Sequence, residues 1–200
     1  MPSAPTPSFA YPVFLDLHEQ DVLVVGGGRI GARKAAGLAA CGARVRLVAT
    51  DVSEHVDITQ IHDLRPRAFE AADLDGVRLV VTATGDEQVD ATISAQARAR
   101  EIWTNAADQP VDCEVILPAL ARRGRVSVAV STDGASPALA RELRNVIDEF
   151  LTDEIGALAE TLAAERAAVQ ATGASTEDID WTARVRRGIA EATAGRSLAP

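Results

Sequence analysis

The segment Asp21-Val-Leu-Val-Val25-Gly26-Gly-Gly28-Arg-Ile-Gly31 constrains this chain more than any other. A short β-branched run bounded by glycine reads as a strand buried on both faces, as in a parallel sheet. The Ala-rich stretch that follows, up to Cys41, suits a helix, and Gly42 ends it. Gly26-x-Gly28-x-x-Gly31 between such a strand and helix is the setting of a dinucleotide-binding turn. Gly26 allows the tight turn, Gly28 lets the backbone approach a pyrophosphate, and Gly31 permits close helix–strand packing. The helix amino terminus then offers free N–H groups to phosphates. The plain alternative is a glycine turn without a ligand.

The rest of the first half repeats the alternation. Arg44–Val48 reads as the next strand, with short strand-like pieces at Ile58–Ile61 and Arg67–Phe69. Leu79–Ala83 is another buried strand, Asp86–Arg100 a helix with Val89 and Ile93 facing in, and Ile102–Asn105 a fourth parallel strand. Strands alternating with helices at this spacing predict a doubly wound α/β sheet. After Asn105 the pattern changes. Glu114–Leu117 and Arg125–Ser131 read as strands, and Ser136-Pro137 caps and opens a helix. Leu139, Leu143, Val146, Ile147 and Phe150 form one helical stripe. A further helix is expected over Asp153–Gln170 and a last one from Asp180. The expected divisions are residues 1–112, 113–145 and 146–200.

Charge narrows the ligand classes. The formal charge of −9 argues against broad nucleic-acid binding. Residues 120–144 nevertheless hold five arginines against two acids, an island that suggests a local anionic ligand. Only Lys34 among the 20 basic residues is a lysine. No run approaches the roughly 18 apolar residues of a membrane span, and the first twenty residues lack the features of a secretion signal. Two cysteines, Cys41 and Cys113, make neither a disulfide framework nor a cysteine metal site, and His18, His55 and His62 lack metal spacing. The expectation is a soluble cytoplasmic protein without a resident metal.

Several residues stand where ligands bind in such sheets. Asp51 follows the second strand where a ribose-binding acid is expected, about twenty residues past the glycines, and would favour NAD over NADP; it also reads as a loop acid capping the turn at Ser53. Thr84 and Gly85 close the third buried strand and face the ligand crevice, although Thr84 or Asp86 equally suits a helix cap. Asp108, in Asn105-Ala-Ala-Asp108-Gln-Pro110, suits a general base and equally a turn aspartate before proline. Arg122, Arg123 and Arg125, with Arg141 and Arg144, suit carboxylate or phosphate binding, against a solvated hairpin with ordinary helix charges.

The stretches YPVFLDL, VLVVGGGRIGARKAAGL, VTATGDEQVD, NAADQP and VAVSTDGASPALARELR occur here in an order and spacing that resembles the precorrin-2 dehydrogenase/sirohydrochlorin ferrochelatase family. Members of that family also form the amino-terminal part of bacterial sirohaem synthases. The resemblance covers roughly residues 11–150 and joins five motifs, which is more specific than the glycine turn alone. It implies a Rossmann-type NAD-binding domain, a small strand-containing dimerisation region and a carboxyl-terminal helical domain, working as a homodimer. It implies oxidation of precorrin-2 to sirohydrochlorin with NAD, and in some members insertion of ferrous iron to make sirohaem. The family's catalytic aspartate maps onto Asp108, and its cofactor contacts onto Arg29, Ile30, Thr50 and Asp51. Expected substrate contacts are Asn105, Arg122, Arg123, Ser131, Thr132, Ser136 and Arg141. Asp133 replaces a glycine usual in the family's loop. A non-enzymatic NAD-sensing module is the alternative class; it requires neither the arginine island nor the loop at Ser131–Pro137.

Overall fold

The Val22–Val25 run is buried on both faces because it lies at the centre of a parallel sheet. Val22 and Val24 pack into one apolar cluster and Leu23 and Val25 into another. The computed structural model describes residues 11–194, which divide into two compact units between Leu117 and Pro118. In the first unit, β1 (Asp21–Gly27) leads into α1 (Arg29–Ala39) and β2 (Arg44–Val52). There follow β3 (Asp63–Arg65), β4 (Leu79–Thr82), α2 (Glu87–Arg98) and β5 (Trp103–Ala106). The sheet order is β3-β2-β1-β4-β5, every pair parallel. The order reverses between β1 and β4, and a crevice opens at the carboxyl ends of strands at such a switch point.

Local chemistry explains where elements begin and end. Asp86 caps α2 by accepting from the N–H groups of Gln88 and Val89 at 3.0 and 3.2 Å. Ile93 is buried as expected, whereas Val89, in the first turn, is 41% exposed, so only one of the two faces in. Ile58–Gln60 is a 3₁₀ turn rather than a strand, because Asp57 accepts from Thr59 N–H and nucleates the turn. Arg67–Phe69 is not a strand either. The third strand is Asp63–Arg65, and Pro66, with no N–H for a ladder, stops it. Glu114–Leu117 also forms no strand: the N–H groups of Glu114 and Val115 both donate to Thr104 O, and Val115 O accepts from the Asn105 side chain.

The second unit holds an antiparallel hairpin, β6 (Ala119–Arg123) and β7 (Val126–Val130), joined through Gly124 at φ +54°. Helices α3 (Pro137–Phe150), α4 (Asp153–Ala171) and α5 (Thr182–Ala192) follow. Ser136 caps α3 by accepting from Leu139 N–H, with Pro137 in the first turn. Ile147 and Phe150 pack on the small core of Ala121, Leu151 and Ile155. The remaining stripe residues, Leu139, Leu143 and Val146, stay exposed. No helix among the described residues is long and apolar enough to cross a membrane.

The edge of the five-stranded sheet is fastened by one buried acid. Asp73 is fully buried and accepts from Arg65, from both terminal nitrogens of Arg67 at 2.7 and 2.8 Å, and from Glu70 N–H at 2.8 Å. Although burial acts against the charged form, these bonds hold its carboxyl down at about 2. The folded value lies below the unfolded one, so the stabilisation is complete above about pH 4 and is lost as pH falls through about 2. A depression of this size corresponds to about 2 kcal/mol. Urea melts across this range should show a stability slope in the native protein that Asp73→Asn lacks; parallel curves would remove Asp73 from the acid response.

Candidate active site

A cleft of about 480 Å³ opens at the β1/β4 switch point. Three stretches line it: Gly28, Arg29 and Ile30 entering α1; Ala83, Thr84 and Gly85 after β4 with Glu87 and Asp90 in the first turn of α2; and Ala107, Asp108 and Gln109 after β5. The glycines make this convergence possible. Gly26 has φ +116°, and a Cβ there would stand 2.2 Å from Ala83 O. A Cβ on Gly31 would stand 2.0 Å from Gly26 O. Both side chains are excluded by backbone, which draws α1 and β4 against β1. Gly28 differs: a Cβ there meets nothing within 4 Å, so its surface faces open space. It occupies the N-cap position of α1, and no side chain caps that end. The first amide groups of the helix are therefore available to an anion.

Gly28, Arg29, Ile30, Thr84, Gly85 and Asp108 thus share one cleft. Thr50 and Asp51 are exposed near the end of β2, beside but not lining it. There β2 bulges, because Val25 pairs with Val48 but Gly27 with Val52. Ser53 N–H and hydroxyl both donate to Gly27 O, at 3.0 and 2.7 Å, tying the bulge to the glycine turn. A Cβ on Gly27 would meet Asp51 O at 2.3 Å, so this third glycine is also required by close approach.

Asp108 is exposed at the cleft with φ +61°, a left-handed conformation that aspartate tolerates better than most residues. Its loop is fastened on both sides. Ala107 N–H donates to Thr82 O at 2.9 Å, and Cys113 Sγ accepts from Ala106 N–H at 3.2 Å. Asn105 lies beneath rather than in the cleft: it is 6% exposed, and its amide donates to Val115 O at 3.0 Å.

The sequence pattern marks Lys34 as the one lysine but assigns neither it nor Asp90 to the site. Asp90 is 2% exposed, and its Oδ1 accepts from the Thr84 hydroxyl and N–H at 2.8 and 3.2 Å. Burial pushes its carboxyl upward, against the opposing bonds from Thr84. Thr84 is therefore a cleft residue shaped by a buried acid, while Asp86 takes the helix cap. A polar position within an otherwise inward face of α2 was the available signal.

The other expected contacts lie in the second unit. Arg123 is held by Asp148 at 3.0 Å and Asp153 at 3.7 Å, and Arg125 by Glu160 at 2.9 Å. Arg122 donates to Ser127 Oγ at 3.0 Å. Arg141 and Arg144 make no ion pair among the described residues. Ser131 Oγ accepts from Asp133 N–H at 3.1 Å, and Thr132 Oγ1 both accepts from Ser136 N–H and donates to Ser136 O. These hydroxyls build the loop itself. Asp133 has φ +52°, which explains why glycine suits that place. Among the described residues, no three His, Cys, Asp or Glu side chains cluster to hold a metal.

The glycine geometry separates two outcomes. Gly31→Ala should cost folding, because its Cβ has backbone to displace. Gly28→Ala should melt like the native protein yet bind dinucleotide about tenfold more weakly, a loss of about 1.4 kcal/mol. Equal affinity in calorimetric titration would show that no ligand approaches Gly28.

Comparisons with known proteins agree with this geometry. The family described as Putative NAD(P)-binding matches residues 13–119, and the segment described as Sirohaem biosynthesis protein central matches residues 123–149. A siroheme synthase of Methylococcus capsulatus is 40% identical over 190 residues, covering 92% of this chain and 36% of that protein. One of Ectopseudomonas mendocina is 42% identical over 149 residues, covering 74% and 32%. This chain thus spans about a third of the length of these relatives. The solved structure of SirC, a precorrin-2 dehydrogenase, superposes with a TM-score of 0.65 at 28% identity, covering 90% of this chain and 88% of that one. With more than half its length matched and the glycine turn, switch-point cleft and parallel sheet in place, this chain belongs to the NAD(P)-binding family that is joined to the sirohaem-biosynthesis central segment.

Proposed function

We propose that this chain oxidises precorrin-2 to sirohydrochlorin with NAD, as the dehydrogenase part of sirohaem biosynthesis. The observation that carries the reading is Asp108 opening into the same cleft as the uncapped start of α1. NAD, when bound, supplies the hydride acceptor. Gly28, Arg29 and Ile30 present backbone to its pyrophosphate. Asp51, near the end of β2, suits the ribose of NAD and repels a 2′-phosphate. Thr84 and Gly85 form the opposite wall, held by Asp90. Removing two hydrogens from precorrin-2 sends one as hydride to the dinucleotide and leaves one proton, which the Asp108 carboxylate accepts.

Precorrin-2 carries eight carboxylates, so an acidic protein has to focus positive charge locally to bind it. Arg122 and Arg141 serve that role in this reading, with Ser131, Thr132 and Ser136 shaping the loop beside them. Arg123 contributes through its bond to Asp148. Ferrous iron is a second substrate in this reading, with Asp108 collecting the pyrrole N–H protons. The expected compartment is the cytoplasm. No observation favours the sensor alternative.

The exposed Leu139, Leu143 and Val146 along α3 suit a homodimer contact, because an apolar stripe of this kind is ordinarily covered. Leu143→Glu is expected to convert a dimer to monomer in sedimentation; a native protein that sediments as a monomer would remove this part. Asp108→Ala should keep NAD affinity while turnover with precorrin-2 falls on the order of a hundredfold or more. Unchanged turnover would take Asp108 out of the reaction.

A further inference from the structure

Nineteen of the 20 basic residues of this chain are arginine; the exception, Lys34, stands on α1 within reach of Asn105. On α1 the buried residues are Gly31, Ala32, Ala35 and Leu38, a stripe that turns towards the sheet. Lys34 is three residues past Gly31 and four before Leu38, on that same side, where an apolar residue is the ordinary choice. It is half-buried, and its Nζ donates to Asn105 Oδ1 at 3.4 Å. Burial and the neighbouring Arg33 push the ammonium's proton affinity down, while Cys113 and Asp108 act to raise it.

Asn105 passes this contact on. Its amide nitrogen donates to Val115 O at 3.0 Å and lies 3.7 Å from Cys113 Sγ. Cys113 in turn accepts from Ala106 N–H at 3.2 Å, with Ala106 O and Gln109 O within 3.3 and 3.4 Å of its sulfur. One buried amide therefore joins α1 to both ends of the loop that holds Asp108 in its left-handed conformation. Without a cation on its oxygen, that amide keeps its bond to Val115 O but loses its partner on the α1 side.

We propose that Lys34 is a positioning residue for Asp108, acting through Asn105 to fix the loop that carries the carboxylate; this rests on the reading that Asp108 accepts the substrate proton. A compact ammonium suits the half-buried position under Asn105 better than a broad planar guanidinium, which accounts for the single lysine in an arginine-rich set.

The test uses the full chain and its Lys34→Met, Lys34→Arg and Asp108→Ala variants. Turnover with precorrin-2 and NAD, NAD affinity, melting temperature and amide hydrogen exchange are compared. Lys34→Met is expected to melt close to the native protein, bind NAD and precorrin-2 as well, and lose turnover on the order of tenfold to a hundredfold. Its amide exchange should quicken over residues 106–115 and nowhere else in the sheet. Native turnover, or a loss matched by lower melting temperature and faster exchange throughout the sheet, would overturn the proposal. Should Lys34→Met fail to fold, Lys34→Arg carries the test: reduced turnover with faster exchange at 106–115 supports it, and native behaviour overturns it. Native turnover in Asp108→Ala would instead overturn the underlying reading, and with it any service of Lys34 to Asp108.

Discussion

Everything in the first unit depends on two backbone approaches too close for any side chain. The Cα of Gly31 faces Gly26 O, and that of Gly26 faces Ala83 O, each at a separation that leaves no room for a Cβ. Together they bring the start of α1 and the end of β4 onto β1. The cleft then follows from topology: the crossovers from β1 lead outward to β2 on one side and back to β4 on the other. The gap they leave is at the strand ends. Nothing in the cleft walls has to create it; the walls need only line it.

The lining divides into backbone and acid. On the α1 side the cleft offers peptide N–H groups and an open glycine, a surface suited to phosphate. On the far side it offers Asp90, hidden behind Thr84, and Asp108, exposed on a strained loop. The two carboxylates have different surroundings and hence different work. The buried one orders a wall, and the exposed one is the proton acceptor in the proposed reaction. Lys34 and Asn105 connect the loop of Asp108 to the helix that begins at the glycine turn, so in the proposed reaction the two sides of the cleft share a support.

Much of this was legible in the sequence, because local rules govern it. Glycine spacing, the β-branched runs of β1 and β4, and the caps at Asp86 and Ser136 all depend on neighbours within a few residues. The misreadings share a cause. Ile58–Gln60 followed its Asp57 cap instead of its apolar pattern, Arg67–Phe69 lost its ladder to Pro66, and Glu114–Leu117 gave its backbone groups to Thr104 and Asn105. In the last case the competing partners lie ten residues away, beyond any periodicity. Lys34 and Asp90 stayed hidden for the same reason: a single polar residue on a helix has no sequence signal for what it reaches across space. Asp133 is the converse case, a departure visible in the sequence whose left-handed backbone only the structure explains.

In the proposed reaction the switch-point cleft holds a nicotinamide dinucleotide that receives hydride from a tetrapyrrole. The most direct measurement is the stoichiometry of NADH to sirohydrochlorin during anaerobic incubation of the native protein with precorrin-2 and NAD. NADH and sirohydrochlorin are expected to appear together in equal amounts. Bound NAD with no NADH formed, while precorrin-2 stays unchanged, would contradict it.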